Sequence, residues 1–126
     1  MSYSNEDLGK LVEPARLHRS VYTDENVFEL EMQRIWGKAW IFIGHESQVQ
    51  QPGDYYTTHI NHKIPVMMTR DREGQVHVLH NRCAHKGAKL VDTRCGNARA
   101  FRCCYHGWTF APDGKLLKIP NEAGYE

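Results

Sequence analysis

The sequence has 126 residues, with 16 Lys and Arg against 15 Asp and Glu, for a formal net charge of +1. This length suits one domain around a single core and is too short for two, and the near-neutral charge gives no reason to expect binding to nucleic acid or to an anionic membrane surface. The first ten residues are polar and acidic and lack the apolar run of a secretory signal or a transmembrane helix. We therefore expect a cytoplasmic protein whose partners are proteins or small molecules.

The chain begins with a polar stretch, residues 1–22, which we predict to be an extended N-terminal arm. A leader helix is predicted over residues 23–38, with Thr23 or Asp24 as its N-cap and Gly37 closing the pattern. Its apolar residues recur at helical spacing: Phe28, Met32, Ile35 and Trp36. The result is one amphipathic helix between the arm and the remainder of the chain.

From residue 39 to residue 126 the hydrophobic period changes to short β-branched or aromatic runs separated by turn signals, such as residues 71–74. The predicted strands are 40–44, 54–60, 65–70, 75–81, 100–103, 108–110 and 115–119. These runs predict a mainly β, antiparallel domain that presents two loops.

The first loop carries the triplet Cys83-Ala84-His85. The second carries the quartet Cys103-Cys104-Tyr105-His106, and seventeen residues separate the two motifs. A Rieske [2Fe-2S] cluster takes two thiolates on one iron and two imidazoles on the other, and each loop supplies one residue of each kind. A glycine follows closely after each histidine, at Gly87 and Gly107. The missing side chain lets backbone N–H groups approach the cluster sulfurs. The pattern therefore predicts a Rieske [2Fe-2S] site.

Other interpretations of the same residues are open. A structural zinc site also uses Cys and His, although such sites usually begin with two cysteines two to four residues apart. Any single cysteine can be a small buried core residue. Spacing alone also allows Cys104 in place of Cys103, because Cys104-Tyr105-His106 is itself a Cys-x-His triplet.

Residues 81–88 and 103–110 resemble the Rieske domain of aromatic ring-hydroxylating oxygenase alpha subunits. Residues 34–49 resemble the leader of those subunits, and residues 52–55 continue the likeness. Together the matching stretches cover most of the chain from residue 23 to residue 114. Stand-alone Rieske ferredoxins lack this leader.

The resemblance implies a Rieske-type antiparallel β-sandwich over residues 39–126, with two cluster-binding loops. It implies that Cys83, His85, Cys103 and His106 are the metal ligands that bind the [2Fe-2S] cofactor. Cys104 then occupies a variable position and Cys95 lies in a turn over residues 94–97, so both are expected to be free thiols. No catalytic residue is expected in this chain, and the tryptophans, Trp108 among them, are expected to be core or interface aromatics.

In the resembled family the Rieske cluster takes electrons from a ferredoxin or reductase, supplied by NAD(P)H, and passes them to a mononuclear iron that uses dioxygen to hydroxylate an aromatic compound. That iron lies in a second domain, on two histidines and a carboxylate. We expect this chain to lack the mononuclear site and to supply electron transfer for aromatic catabolism. The implied partners are the electron donor, the rest of the alpha subunit, a beta subunit and neighbouring alpha subunits.

The alternative function is a stand-alone electron carrier of the Rieske ferredoxin type, and a zinc-binding module is the third possibility. The resemblance also implies a low reduction potential. High-potential Rieske proteins carry two additional cysteines, joined as a disulfide, where this chain has Ala88 and Tyr105. They also carry serine and tyrosine hydroxyls, which donate to sulfur, where it has Trp108 and Phe110.

Overall fold

The structure is a computed structural model that describes residues 3–61 and 63–124. His62 and the outermost residues of the predicted arm and of the predicted β domain lie outside the described residues. The chain divides into two compact units, Met1–Ile41 and Phe42–Glu126. In the described ranges, no helix combines the length and the apolar character needed to cross a membrane.

The first unit is folded where an extended arm was predicted. Its elements are α1 (Asn5–Gly9), β1 (Val12–Glu13), β2 (Arg16–Leu17), α2 (Ser20–Thr23) and α3 (Glu25–Glu31). The prediction of an extended arm was wrong because Ser4 and Asp7 form a capping box, in which each side chain accepts the backbone N–H of the other at 3.1 Å. This reciprocal pair satisfies donors at the start of α1 and favours a helical turn there.

The leader helix begins at the predicted residue and ends in an unpredicted way. The carboxylate of Asp24 accepts the N–H groups of Asn26 and Val27 at 2.8 and 3.4 Å, so Asp24 is the N-cap of α3. The helix then widens into a π-helical turn over Met32–Trp36, and Gly37 N–H donates to the carbonyl of Met32 at 2.7 Å. A methyl group on Gly37 would lie 2.9 Å from that carbonyl oxygen, so a glycine fits this wide turn best.

The second unit contains two antiparallel sheets, as the predicted fold class requires. The larger sheet has the strand order β5-β4-β3-β6, and the smaller has the order β7-β8-β9. The strands are β3 (Asp54–Ile60), β4 (Ile64–Arg70), β5 (Val76–His80), β6 (Cys95–Asn97), β7 (Phe101–Arg102), β8 (Thr109–Phe110) and β9 (Leu116–Lys118). Each of them except β6 falls on a predicted strand.

Two local predictions in this part of the chain were wrong. Residues 40–44 form no strand, because a β-prone run becomes a strand only where another strand pairs with it. Residues 94–97 were predicted to be a turn, but Cys95–Asn97 forms β6 and pairs with the edge of β3. The glycine and asparagine of β6 are typical of turns, and only the long-range pairing overrides that preference.

The core of the second unit is built on β4, the strand between β3 and β5. Val66, Met67, Met68 and Thr69 are all buried, and the hydroxyl of Thr69 donates to the carbonyl of Pro112 at 2.6 Å. Pro112 lies in the turn between β8 and β9, so this bond joins the two sheets. The smaller sheet is thereby fixed against the larger one, and the loop between β7 and β8 is fixed with it.

We predict that Thr69→Val lowers the free energy of unfolding by about 1–3 kcal/mol, because a buried carbonyl then loses its donor. Urea denaturation followed by circular dichroism measures this loss. Thr57→Val is the matched control, because Thr57 makes a comparable bond to the carbonyl of Thr93 at 3.0 Å near solvent. Water replaces that bond, so an equal loss in both variants would contradict the assigned role of Thr69.

Candidate metal centre

The predicted ligands lie on two loops of the second unit that contact each other. The first loop, residues 82–88, follows β5 directly after Asn81. The second loop, residues 102–108, runs from the end of β7 to the start of β8. Short antiparallel strands thus hold both ends of the second loop, whereas the first loop leads into a segment without regular structure.

The two loops share one backbone conformation. In the first loop, Cys83 N–H donates to the carbonyl of Ala88 at 2.7 Å and Gly87 N–H donates to the carbonyl of Cys83 at 2.9 Å. The second loop repeats both bonds at the same spacing, at 2.8 Å from Cys103 and at 3.0 Å from Gly107. The two glycines have φ of +76° and +74°, a region that favours glycine.

The matched turns bring two thiols together in the interior. Cys83 and Cys103 are each 3% exposed, and the S–H of Cys83 donates to the sulfur of Cys103. Each sulfur also accepts the backbone N–H groups of the residues two and three positions further along its own loop. Four N–H donors therefore point at two adjacent sulfur atoms, an arrangement suited to thiolates.

The two thiols differ in acidity. Burial raises the pKa of Cys83, and the neighbouring Cys103 raises it further. Burial also acts to raise the pKa of Cys103, but the backbone N–H donors and the S–H of Cys83 outweigh it and lower that pKa. Metal-binding cysteines are thiolates, so a cationic metal bound at this pair would displace the thiol protons and hold both sulfurs as thiolates.

The two predicted imidazole ligands also lie side by side. The ring centroids of His85 and His106 are 4.6 Å apart, with an interplanar angle of 66°. The Nδ1 atom of His85 is buried, and burial together with the nearby charge of His106 lowers the pKa of His85. A lowered pKa favours neutral imidazole, the form that binds metals.

Two aromatic side chains of the second loop pack against these imidazoles. The Trp108 ring stacks on His85 with centroids 4.9 Å apart and an interplanar angle of 6°, and the Tyr105 ring lies 3.7 Å from that of His106. Trp108 also packs on the buried cysteines and Phe110, as expected for a core aromatic. Its contact with His85 was not predicted, because it joins two loops that sequence spacing does not relate.

Asn81 is a further site residue that the sequence did not reveal. Its side chain is 1% exposed and donates to the carbonyl of Val91 at 2.7 Å. Its amide oxygen accepts the N–H groups of Leu90 and Val91 at 3.2 and 2.9 Å. These three bonds tie the start of the first loop to the segment that follows it and so replace the missing second strand.

The four predicted ligands form two pairs and do not surround a single point. Among residues 3–61 and 63–124, no group of three or more His, Cys, Asp or Glu side chains is placed to hold one metal ion. A tetrahedral zinc site needs four such groups around one ion, whereas a Rieske cluster needs one thiol pair and one imidazole pair. The other two cysteines, Cys95 and Cys104, are exposed and free of disulfides.

A family model of the Rieske [2Fe-2S] domain matches residues 39–125. The chain belongs to the Rieske [2Fe-2S] domain family. The family prediction is confirmed, and with it the Rieske β-sandwich and the [2Fe-2S] cluster as the cofactor of the domain.

Relatives and solved structures show which Rieske proteins this chain is similar to. It is 40% identical over 103 residues to the chlorobenzene dioxygenase subunit alpha of Cupriavidus sp. (strain PS12), covering 82% of this chain and 23% of the relative. It is 43% identical over 112 residues to the toluate 1,2-dioxygenase subunit alpha of Pseudomonas putida, covering 87% of this chain and 24% of the relative. A naphthalene 1,2-dioxygenase structure with indole in its active site matches 98% of this chain and 27% of that chain, at 33% identity and a TM-score of 0.85.

The resemblance to alpha subunits of ring-hydroxylating dioxygenases is therefore confirmed. The chain spans about a quarter of the length of the relatives that it matches. The part that it shares with them is the Rieske domain together with the leader that precedes it.

We predict that Asn81→Ala accelerates loss of the cluster, because it leaves buried backbone groups unsatisfied at about 1–3 kcal/mol each and releases the end of the first loop. The decay of visible absorbance in the presence of an iron chelator measures the rate. Asn97→Ala is the control, since that side chain bonds to Pro52 and Asp54 at an exposed position. A half-life equal to that of the unmodified chain would refute the role of Asn81.

Proposed function

We propose that Cys83 and Cys103 bind one iron of the cluster and that His85 and His106 bind the other. The main support is that the structure pairs the two thiols and, separately, the two imidazoles. Cys103, and not Cys104, matches Cys83 in burial and in the hydrogen bonds of its turn. Cys104 is exposed and is not an iron ligand in this proposal, so its thiol stays free.

The surrounding residues fit this assignment. Four backbone N–H groups stabilise negative charge on the two sulfurs, and Trp108 fixes the plane of the His85 ring. When bound, the cluster accepts and releases one electron at a time. His106 is exposed and so gives that electron a short route between the protein surface and the cluster.

We further propose that the chain is the electron-transfer part of a ring-hydroxylating oxygenase alpha subunit. Electrons would come from a ferredoxin or reductase and pass to a mononuclear iron that hydroxylates an aromatic substrate with dioxygen. The observation that carries this proposal is the 98% coverage of this chain by a dioxygenase structure, because it includes the leader unit as well as the loops. A stand-alone ferredoxin-type carrier would need only the loops.

The partners follow from the same proposal. They are the electron donor, the remainder of the alpha subunit, neighbouring alpha subunits and a beta subunit. We propose a cytoplasmic location, where exposed thiols such as Cys95 and Cys104 stay reduced.

The ligand assignment predicts different outcomes for two adjacent cysteines. Cys103→Ser should abolish or severely reduce cluster binding, because it removes a thiolate from iron, whereas Cys104→Ser should leave cluster binding intact. Iron and acid-labile sulfide per chain, with the EPR spectrum of the reduced protein, measure both variants. Equal losses, or a loss in the Cys104 variant alone, would overturn the assignment.

The oxygenase-type function predicts a midpoint potential near the low end of the Rieske range, about −150 mV and far below +300 mV. Trp108 and Phe110 provide no hydroxyl where high-potential domains have donors to sulfur, so the reduced cluster receives less stabilisation. Protein-film voltammetry at neutral pH measures the potential. A midpoint above about +100 mV, well up that range, would contradict the oxygenase-type function.

A further inference from the structure

An arginine precedes the cysteine in both loops, and a glycine follows four residues after each cysteine. A methyl group built on Gly87 would lie 2.9 Å from Nε and 3.1 Å from Nη2 of Arg82. A methyl group built on Gly107 would lie 3.4 Å from Nη2 and 3.5 Å from Nε of Arg102. Each guanidinium therefore packs over the bare glycine of its own loop.

The positive φ of the two glycines explains why glycine is present, but it does not explain the arginines. An exposed arginine side chain has many rotamers, and ordering it opposes folding. Here the same edge of the guanidinium, Nε with Nη2, covers the same glycine in two loops of otherwise different sequence. The repetition indicates that the position of the charge matters.

The two loops have an unbalanced charge. Residues 81–91 and residues 98–111 contain five lysines and arginines and no aspartate or glutamate. In residues 3–61 and 63–124, no carboxylate forms an ion pair with Arg82 or Arg102, and the nearest ion pair along the chain joins Lys89 to Asp92. Within the part of the chain that the structure describes, the two guanidinium groups thus have no carboxylate ion-pair partner.

We infer that Arg82 and Arg102 are a matched pair of positioning residues that hold positive charge beside the two ligand turns and so raise the reduction potential of the centre. This inference rests on the proposed ligand assignment. One-electron reduction adds one negative charge and breaks no bond, so nearby cations favour the reduced form. The two arginines would thereby replace part of the stabilisation of the reduced cluster that hydroxyl donors supply in high-potential Rieske proteins.

The test compares Arg82→Gln, Arg102→Gln and the double variant of the cluster-loaded 126-residue chain by voltammetry. Partly screened charges roughly 10 Å apart change an equilibrium constant about twofold to threefold. Each single variant should lower the equilibrium constant for reduction of the cluster by that factor. The double variant should lower this equilibrium constant about fivefold, which corresponds to a midpoint potential about 40 mV lower at 59 mV per tenfold change. The differences should shrink as salt is raised.

Two controls separate charge from shape and from general surface effects. Arg82→Lys and Arg102→Lys keep the charge, so their reduction constants should stay close to that of the unmodified chain. Arg72→Gln removes an exposed arginine from the turn between β4 and β5 and should leave the constant unchanged. A double glutamine variant that shifts no more than Arg72→Gln overturns the inference.

Cluster binding itself serves as the second readout. If the glutamine variants bind no cluster while the lysine variants do, the positive charge serves cluster assembly and not the potential, and the inference is wrong. If both sets fail to bind it, the guanidinium shape alone matters and the inference is wrong. An unmodified chain that shows no Rieske EPR signal would refute the proposed function, whereas an unshifted potential in a normal cluster refutes only the role of the arginines.

Discussion

The hydrogen bonds from backbone N–H groups to two adjacent buried sulfurs are the interactions on which the rest of the site depends. Negative charge is costly to bury unless donors surround it, and the donors given for the sulfurs of Cys83 and Cys103 are backbone N–H groups. Backbone donation of this kind requires a tight turn at each cysteine and a glycine with positive φ to close it. The rest of the second unit keeps these two turns facing each other.

The two turns are anchored by different means. The second loop lies between β7 and β8, and the buried bond from Thr69 to Pro112 fixes their sheet against β4. The first loop has a strand on one side only, and the Asn81 side chain holds its far end. One buried amide thus replaces strand pairing, so the first loop depends on a single side chain where the second depends on a sheet.

The candidate ligand residues could be named from the sequence, whereas the side chains and backbone groups that surround them could not. The short spacing between cysteine and histidine is a local property of each loop. The bounds of β3 were likewise predicted correctly, because its run of β-prone residues is local in the sequence. The stacking of Trp108 on His85 and the pairing of β6 with β3 join segments far apart in sequence, and the bonds of Asn81 cross the whole first loop. Spacing alone left Cys103 and Cys104 as alternatives and the family resemblance favoured Cys103, whereas the burial that distinguishes the two thiols is visible only in the structure.

The histidines occupy different positions in otherwise equivalent turns, and this makes the site asymmetric. His85 is the second residue after its cysteine and His106 the third, so equivalent backbones present them differently. His85 has its Nδ1 atom buried and its face covered by Trp108, whereas His106 is exposed beside the largely exposed ring of Tyr105. The His106 side of the centre is therefore more accessible than the His85 side. Because electron transfer favours the shorter path, the proposed function would place electron exchange at the second loop.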